Sequence, residues 1–270
     1  DVLFVVVFEW KVQGVAVATL VAEYTGLIVG LYLVYRQISD EDKSAFQHTT
    51  FYSILKKVNF KDYLSLNRDI LIRTLCLQLC FTFITIQGAR MGDTVVAANA
   101  LLMNFLLLIS FGLDGIANAA EARVGRAFGA KDRAALLRCS YVAMQWSVIF
   151  AAFYSVLFLI FGEAIIKLIT SIPEVIDYAE QFLFWIVALP MLACWCFLLD
   201  GIYIGLTQAK AMRNGMLMAT FCGFFPAWYL LQSWGNHGLW AAFCLFMLMR
   251  GITLFVHFYR HVLNNKQFAL

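Results

Sequence analysis

The chain consists of long apolar stretches separated by short polar segments. A helix that crosses the hydrocarbon core of a bilayer needs about 20 mostly apolar residues. Seven stretches reach that length and predict seven complete spans, and residues 2–8 predict the end of another one. The uncharged run 214–249 is too long for one span, and the Gly-Asn-His-Gly sequence at 235–238 predicts a turn that divides it. The predicted spans are residues 12–35, 69–88, 94–113, 139–162, 181–208, 214–234 and 239–259.

The composition indicates that lipid is the solvent for much of this chain. Hydrophobic residues make up 62% of the sequence and charged residues 14%, against about 45–50% and about 25% in soluble domains. No basic tract with interleaved aromatic residues is present, which argues against nucleic-acid binding. The sequence also has no Walker motif, no nucleophile–base pair and no metal-ligand spacing. We therefore expect an all-α polytopic membrane protein that is not an enzyme and has no cofactor.

The distribution of basic residues indicates the orientation of the chain. When the loops are assigned alternately to two sides, sixteen lysines and arginines fall on one side and three (Lys11, Arg90 and Lys167) on the other. Basic residues accumulate in cytoplasmic loops, so we expect the C-terminus to lie in the cytoplasm. The polar segment 36–66 then lies on the same side, either as a plain connector or with an amphipathic helix at 51–58 on the inner leaflet.

Asp200 is the most informative polar residue, because it lies inside the predicted span 181–208. An ionised carboxylate at membrane depth is costly unless it is paired or faces water. Such a group suits a site that binds and releases H⁺ or Na⁺, and the alternative is a carboxyl near the cytoplasmic interface that caps a neighbouring helix. The same span contains Pro190, which predicts a kink. It also contains Tyr203 and Gln208, which are candidates to line a cavity.

Glu23 and Asp114 are two further acids within apolar stretches and are candidates for ion or substrate coupling. Glu23 lies near the middle of the first complete span, where a hydrogen bond between helices is an equally good interpretation. Asp114 and Glu121 lie about two turns apart on one helix face, either in a cytoplasmic charge cluster or at a gate. Small residues surround them and predict close helix packing: Gly112, Gly115, Ala117, Ala119, Ala120 and Ala122.

Other polar and aromatic side chains at depth are weaker candidates. Gln78 and Asn104 are predicted to line a cavity, although such residues more often join helices, as Asn118 and Arg250 also can. The aromatic candidates for the cavity wall are Trp195 and Trp228, in addition to Tyr203.

Residues 92–132 read GDTVVAANALLMNFLLLISFGLDGIANAAEARVGRAFGAKD, a long apolar run that ends in a Val-Gly-x-Ala-x-Gly-Ala pattern. This segment resembles the multidrug and toxic compound extrusion (MATE) family. Three shorter segments resemble its DinF branch (the DNA-damage-inducible protein F type): Asn67–Leu75, Ala22–Gly26 and Leu199–Ile202.

The resemblance implies twelve helices in two six-helix lobes with alternating access between them. Residues 1–35 would end the N-terminal lobe (the tail of helix five, then helix six), and 36–66 would connect the lobes in the cytoplasm. Residues 67–270 would form the C-terminal lobe, helices seven to twelve. The chain begins inside an apolar run, and we expect it to lack the rest of the N-terminal lobe, which would be its partner.

The same resemblance implies a function in the bacterial inner membrane. It implies export of cationic or amphipathic drugs in exchange for H⁺ or Na⁺. Asp200 matches the acid that members of the family carry in helix ten for cation binding, and Na⁺ at Asp200 is therefore one expectation. Some members pair that acid with a glutamate in helix seven, but residues 74–89 contain no acid and Gln78 is the nearest polar candidate. The coupling ion stays open.

Two other functions remain as alternatives. A flippase for lipids or lipid-linked oligosaccharides should present several arginines or lysines to a central cavity, and only Arg250 lies deep in a predicted span. A membrane scaffold or receptor subunit should lack buried carboxylates, and Glu23, Asp114 and Asp200 argue against it. A secondary efflux transporter is the leading hypothesis.

Overall fold

The structure is a computed structural model that describes residues 11–37 and 60–263. Within these ranges every regular element is helical, as predicted. Contacts divide the chain into two units, Asp1–Tyr63 and Leu64–Leu270. The first unit contains α1, and the second contains the later helices apart from the first turn of α2. The α-helices are α1 (Lys11–Gln37), α2 (Phe60–Met91), α3 (Asp93–Gly129), α4 (Arg133–Ile169), α5 (Pro173–Glu180), α6 (Leu183–Gly205), α7 (Ala209–Met218), α8 (Phe225–Leu231) and α9 (Asn236–Phe258).

Six of the helices are long and apolar enough to cross a membrane. They correspond to six of the seven predicted spans, and the prediction of an all-α polytopic membrane protein is confirmed. The candidate spans are Gln13–Leu33, Leu64–Met91, Asp93–Gly129, Arg133–Ile169, Leu183–Gly205 and Asn236–Val262. Two predictions fall outside the described residues: the span end at 2–8, and residues 38–59 of the connector with its helix at 51–58.

The seventh predicted span, 214–234, lies in a run of short consecutive helical segments. A π-helix (Ala219–Phe224) follows α7, and a 3-10 turn (Gln232–Trp234) follows α8. Pro226 in the first turn of α8 has no backbone N–H and so removes one hydrogen bond from a continuous α-helix. The apolar pattern identified this segment but not its division, because hydropathy carries no information on hydrogen-bond register.

Helices α3 and α4 extend well beyond the apolar stretches that predicted them. Each has 37 residues, which is about 56 Å at about 1.5 Å per residue, compared with about 30 Å for a hydrocarbon core. Polar turns therefore continue both helices past the bilayer core on the side where they meet. The side chain of Asp132 accepts a hydrogen bond from the Ala135 backbone N–H at 2.9 Å and caps the start of α4.

Helix α6 lies at the centre of the second unit and contacts α3, α4 and α9. Its contact with α3 is close enough to depend on glycine. A Cβ at Gly205 would come within 2.7 Å of the Glu121 carbonyl oxygen, and one at Gly201 would clash with the Ala117 carbonyl oxygen. The predicted close packing is therefore present on one face of α3. The opposite face differs, because Gly115 and Ala119 are exposed.

We predict that Gly205→Ala lowers the stability of the protein, because the added methyl group forces backbone atoms of α3 and α6 apart. Thermal unfolding in detergent micelles should show a midpoint several degrees lower. The control is Gly115→Ala, where a Cβ meets nothing within 4 Å. Equal midpoints for Gly205→Ala and the unsubstituted protein would contradict close packing at this crossing.

A buried polar cluster joins α3 to α9 at the end of the unit opposite to the α3–α4 turn. Asn99 and Asn236 donate to each other through their side-chain amides at 2.8 and 3.0 Å. The Trp240 indole N–H donates to Asn99 Oδ1 at 2.9 Å. Both asparagines are buried, so each polar atom depends on its partner within the protein.

We predict that Asn99→Ala destabilises the protein by about 1–2 kcal/mol, because it removes the buried hydrogen bonds that Asn99 forms with Asn236 and with the Trp240 N–H. Unfolding by SDS in mixed micelles measures the change. Asn118→Ala is the matched control, since Asn118 lies on the same helix but is exposed. If Asn118→Ala loses as much stability as Asn99→Ala, the buried hydrogen bonds of Asn99 are not the cause of the loss.

Candidate functional site

A buried three-residue ion cluster surrounds the carboxylate of Asp200. Asp200 lies on α6 and is 7% exposed. Its Oδ2 accepts a hydrogen bond at 2.8 Å from Nη2 of Arg250 on α9 and another from Nη2 of Arg73 on α2. The Arg250 side chain is also buried, with Nη1 3.3 Å from the Met247 sulfur and the guanidinium over the Phe246 ring. One carboxylate thus connects three helices.

The position of Arg73 corrects one prediction from the sequence. Arg73 was assigned to the basic side of the membrane, and Arg250 was expected to be the only basic residue deep in a span. In the structure the guanidinium of Arg73 reaches Asp200 inside the unit. The sequence contained a signal, because Arg73 is the only charged residue in the apolar stretch 70–88. The sequence did not predict Asp200 as the partner of Arg73, because 127 residues separate the two along the chain.

A second buried ion pair lies one helical turn before Arg73 on α2. The Asp69 side chain is 1% exposed, and its Oδ1 accepts from Arg213 Nη1 at 2.6 Å. Arg68 also lies against this carboxylate, at 3.3 Å. Residues four apart lie on the same face of a helix. On this face of α2, Asp69 pairs with Arg213 of α7, and Arg73 pairs with Asp200 of α6, which also binds Arg250 of α9. The sequence analysis did not identify Asp69 as a site residue.

A cavity of about 680 Å³ lies beside Asp200, between α2, α3, α6 and α9. Most of its wall is apolar, and its charged lining residues are Arg73, Asp114, Glu121, Asp200 and Arg250. Asp114 and Glu121 form no ion pair with another described residue, in contrast to Asp200. The cavity therefore combines an apolar surface with two carboxylates on α3 that form no ion pair within the described chain.

The other predicted site residues are distributed unevenly around this cavity. Asn104 lines it, whereas Gln78 is exposed on α2 and is not among its lining residues. Tyr203 is fully buried elsewhere: its hydroxyl donates to the Leu254 carbonyl at 3.2 Å and lies 2.7 Å from His257 Nδ1. Gln208 lies in the turn between α6 and α7. Gln78, Tyr203 and Gln208 are thus not in the wall of the cavity that Asp200 lines.

The remaining candidates also lie away from the cavity. Trp195 contacts Gly251 of α9, and Trp228 lies edge-on to Phe83. Pro190 lies within α6 and is buried. Glu23 is exposed on α1, in the other unit.

The geometry argues against Na⁺ at Asp200 in this conformation. Oδ2 of Asp200 already accepts from two guanidinium groups, and a third positive charge at the same oxygen would meet their repulsion. The expectation of a Na⁺ site at this residue stays a prediction. An ion would first have to displace at least one arginine.

The fold and the site together define a polytopic helical membrane protein with a charged cavity between its helices. Residues 70–229 match the MatE family model. The chain therefore belongs to the MatE family, the multidrug and toxic compound extrusion family that its sequence resembles. It is 42% identical over 269 residues to DNA damage-inducible protein F of Escherichia coli K12, which places it near the DinF branch.

Other relatives are more distant. A multidrug resistance protein NorM of Aliivibrio fischeri is 29% identical over 179 residues, which cover 60% of this chain and 37% of that protein. The crystal structure of a eukaryotic MATE transporter has the same fold, with a TM-score of 0.83 at 17% identity, over 99% of this chain and 59% of that one. The match to the E. coli protein covers all of this chain and 58% of that relative. The chain thus spans somewhat more than half the length of the E. coli protein and of the eukaryotic transporter.

We predict that Asp200→Asn destabilises the protein more than Arg250→Gln does. The first change leaves two guanidinium groups without a counter-charge, one of them buried, at a cost of about 3–5 kcal/mol. The second leaves Asp200 paired with Arg73. SDS unfolding in mixed micelles compares the two variants. If Arg250→Gln proved the more damaging, Arg73 would not be an effective partner of Asp200.

Proposed function

We propose that the complete protein is a secondary transporter that exports cationic or amphipathic compounds across the bacterial inner membrane in exchange for H⁺ or Na⁺, with alternating access between two lobes. The observation that carries this proposal is the cavity between α2, α3, α6 and α9. It joins an apolar wall to unpaired carboxylates and to a buried ion cluster. Residues 67–270 would form the C-terminal lobe, with the C-terminus in the cytoplasm.

The wall of the cavity suits an amphipathic organic compound. Phe81, Met103 and Phe197 contribute apolar and aromatic surface, which holds a hydrophobic body without a fixed hydrogen-bond pattern. A cationic group on the same compound needs a carboxylate. Asp114 and Glu121 are better placed for that contact than Asp200, because the Asp200 charge is already compensated.

Asp200 is the candidate for ion coupling. Proton binding at its carboxylate removes the negative charge that holds Arg73 of α2 and Arg250 of α9 to α6. The helices linked by this carboxylate would then lose one common partner, and the equilibrium between two arrangements of the lobe would shift. The glutamate Glu23 stays a second coupling candidate.

The name of one relative agrees with export: the Aliivibrio fischeri relative is a multidrug resistance protein. The substrate spectrum of the complete protein belongs to this proposal, because this chain spans only part of its relatives.

A lipid or lipid-linked oligosaccharide flippase is a second candidate, and one observation favours it. Both Arg73 and Arg250 line the cavity, where the sequence had indicated one arginine. Two arginines are a better site for an anionic head group than one. However, three carboxylates line the same cavity, so its formal charge is −1 from three acids and two bases. Export of a cation fits that balance better.

The experiment is substrate uptake into everted membrane vesicles that contain the complete protein. An imposed pH gradient and an imposed Na⁺ gradient are compared for the unsubstituted protein, Asp200→Asn and the pair Asp114→Asn with Glu121→Gln. We predict that Asp200→Asn loses gradient-driven uptake of a fluorescent organic cation. The double variant with Asp114→Asn and Glu121→Gln should bind the same cation at least about tenfold more weakly, because it loses both unpaired carboxylates.

Asp93→Asn is the matched control, because Asp93 is an exposed acid on α3 that does not line the cavity. Each variant is first shown to be folded by its elution from a sizing column and its unfolding midpoint. Uptake that continues unchanged in Asp200→Asn removes this residue from coupling. Absence of uptake with either gradient, from folded protein, favours the flippase, and translocation of a fluorescent phospholipid then tests that function.

A further inference from the structure

An open groove of about 760 Å³ lies between α3 and α4, on the other face of α3 from the cavity described above. Its floor consists of small residues of α3, among them Gly115 and Ala119, which are exposed. A Cβ at Gly115 would meet nothing within 4 Å. Close helix packing, the usual reason for such residues in a membrane, is thus not their role at this position.

The apolar part of the groove has the dimensions of a chain-binding channel. It runs from Arg123 to Gly112 along α3, eleven residues of helix, or about 17 Å. Trp146 and Phe150 of α4 form the wall opposite the small residues. At its closed end the ring of Tyr154 lies where a Cβ of Gly112 would be. A linear hydrocarbon of this length would be in contact with protein on two sides.

The charges of the groove are confined to one end. Among the described residues, Arg123 and Arg138 are the charged residues that line the groove, and none of its lining residues is acidic. Both arginines are exposed, and neither forms an ion pair with another described residue. Because α3 ends at Gly129 and α4 begins at Arg133, the two side chains lie at a similar height, about six residues from the turn. One arginine from each helix therefore lines the charged end of the groove, and the rest of the groove is apolar.

We propose that this groove binds a phospholipid with an anionic head group, with one acyl chain along the small residues of α3 and the phosphate between Arg123 and Arg138. Charge complementarity selects this occupant. Guanidinium groups bind phosphate through paired N–H donors, and a neutral or cationic amphiphile would gain nothing from them. The basic turn between α3 and α4 also lies on the side predicted to face the anionic cytoplasmic leaflet. This inference is independent of the transport mechanism.

The test measures lipid binding to the complete, delipidated protein in detergent. Dioleoylphosphatidylglycerol is compared with dioleoylphosphatidylcholine by native mass spectrometry. We expect preferential retention of phosphatidylglycerol, and a weaker affinity by about fivefold for each of Arg123→Gln and Arg138→Gln, the effect of about one basic side chain near a membrane surface. Ala119→Leu, which fills the channel, should weaken binding of both lipids.

Two control variants isolate the groove from its surroundings. Arg126→Gln removes an exposed arginine of the same helix that does not line the groove, and Ala122→Leu enlarges an exposed alanine that does not line it either. Both should bind phosphatidylglycerol as the unsubstituted protein does. Equal loss in Arg126→Gln, or no loss in Ala119→Leu, would overturn the site in favour of diffuse surface attraction.

A cross-linking measurement covers the possibility that Ala119→Leu fails to fold. Phosphatidylglycerol with a photoactivatable group near the end of its acyl chain is bound to the unsubstituted protein, irradiated and mapped by peptide mass spectrometry. Adducts within 112–120 of α3 and 142–150 of α4 support the proposal. Adducts only elsewhere, or exclusion of the probe because another part of the protein occupies the groove, refute it.

Discussion

The buried carboxylate of Asp200 is the constraint on which the arrangement of α2, α6 and α9 depends. An ionised group at membrane depth has no water to solvate it, and the protein supplies two guanidinium groups in place of water. Each arginine is itself held by this contact, since Arg250 has no other carboxylate partner in the described chain. Three helices from distant parts of the sequence therefore have one electrostatic partner in common. Any change in the charge of Asp200 must alter how they are held.

The packing of α3 against α6 brings this cluster beside a cavity. Gly201 follows Asp200 directly and allows the backbones to approach at Ala117, so the carboxylate lies next to α3 rather than at a distance from it. The same helix contributes Asp114 and Glu121 to the cavity wall. On α3, the close contact with α6 at Ala117 thus lies directly beside the cavity that Asp114 and Glu121 line.

Helix α3 has opposite charges on its two open faces. The face toward α2 and α9 carries two carboxylates, and the face along α4 carries Arg123 with Arg138 opposite it. An organic cation and an anionic lipid would therefore bind to different sides of one helix without competing.

The apolar pattern was sufficient to predict a polytopic helical protein and six spans that the structure contains. It also identified Asp200 as a costly charge, because a carboxylate inside an apolar run is visible in the local sequence. The resemblance to the family also depended on consecutive residues, in the segment 92–132 and in three shorter segments. The partners of Asp200 were not accessible in this way, nor was the depth reached by Arg73. Gln78 and Tyr203 share the polarity of cavity residues, yet one is exposed and the other is buried in a separate cluster.

What the sequence by itself determined is the presence of six membrane spans that the structure contains, and of an acid that requires a partner within the membrane. The tertiary structure alone decided which arginines meet that acid, which face of α3 packs and which remains open, and where the polar side chains of α6 point. The physical reason is the range of the interactions. Transfer to lipid and helix formation act on consecutive residues, whereas ion pairs and cavities depend on side chains that meet only after helices 50 and 127 residues apart have packed.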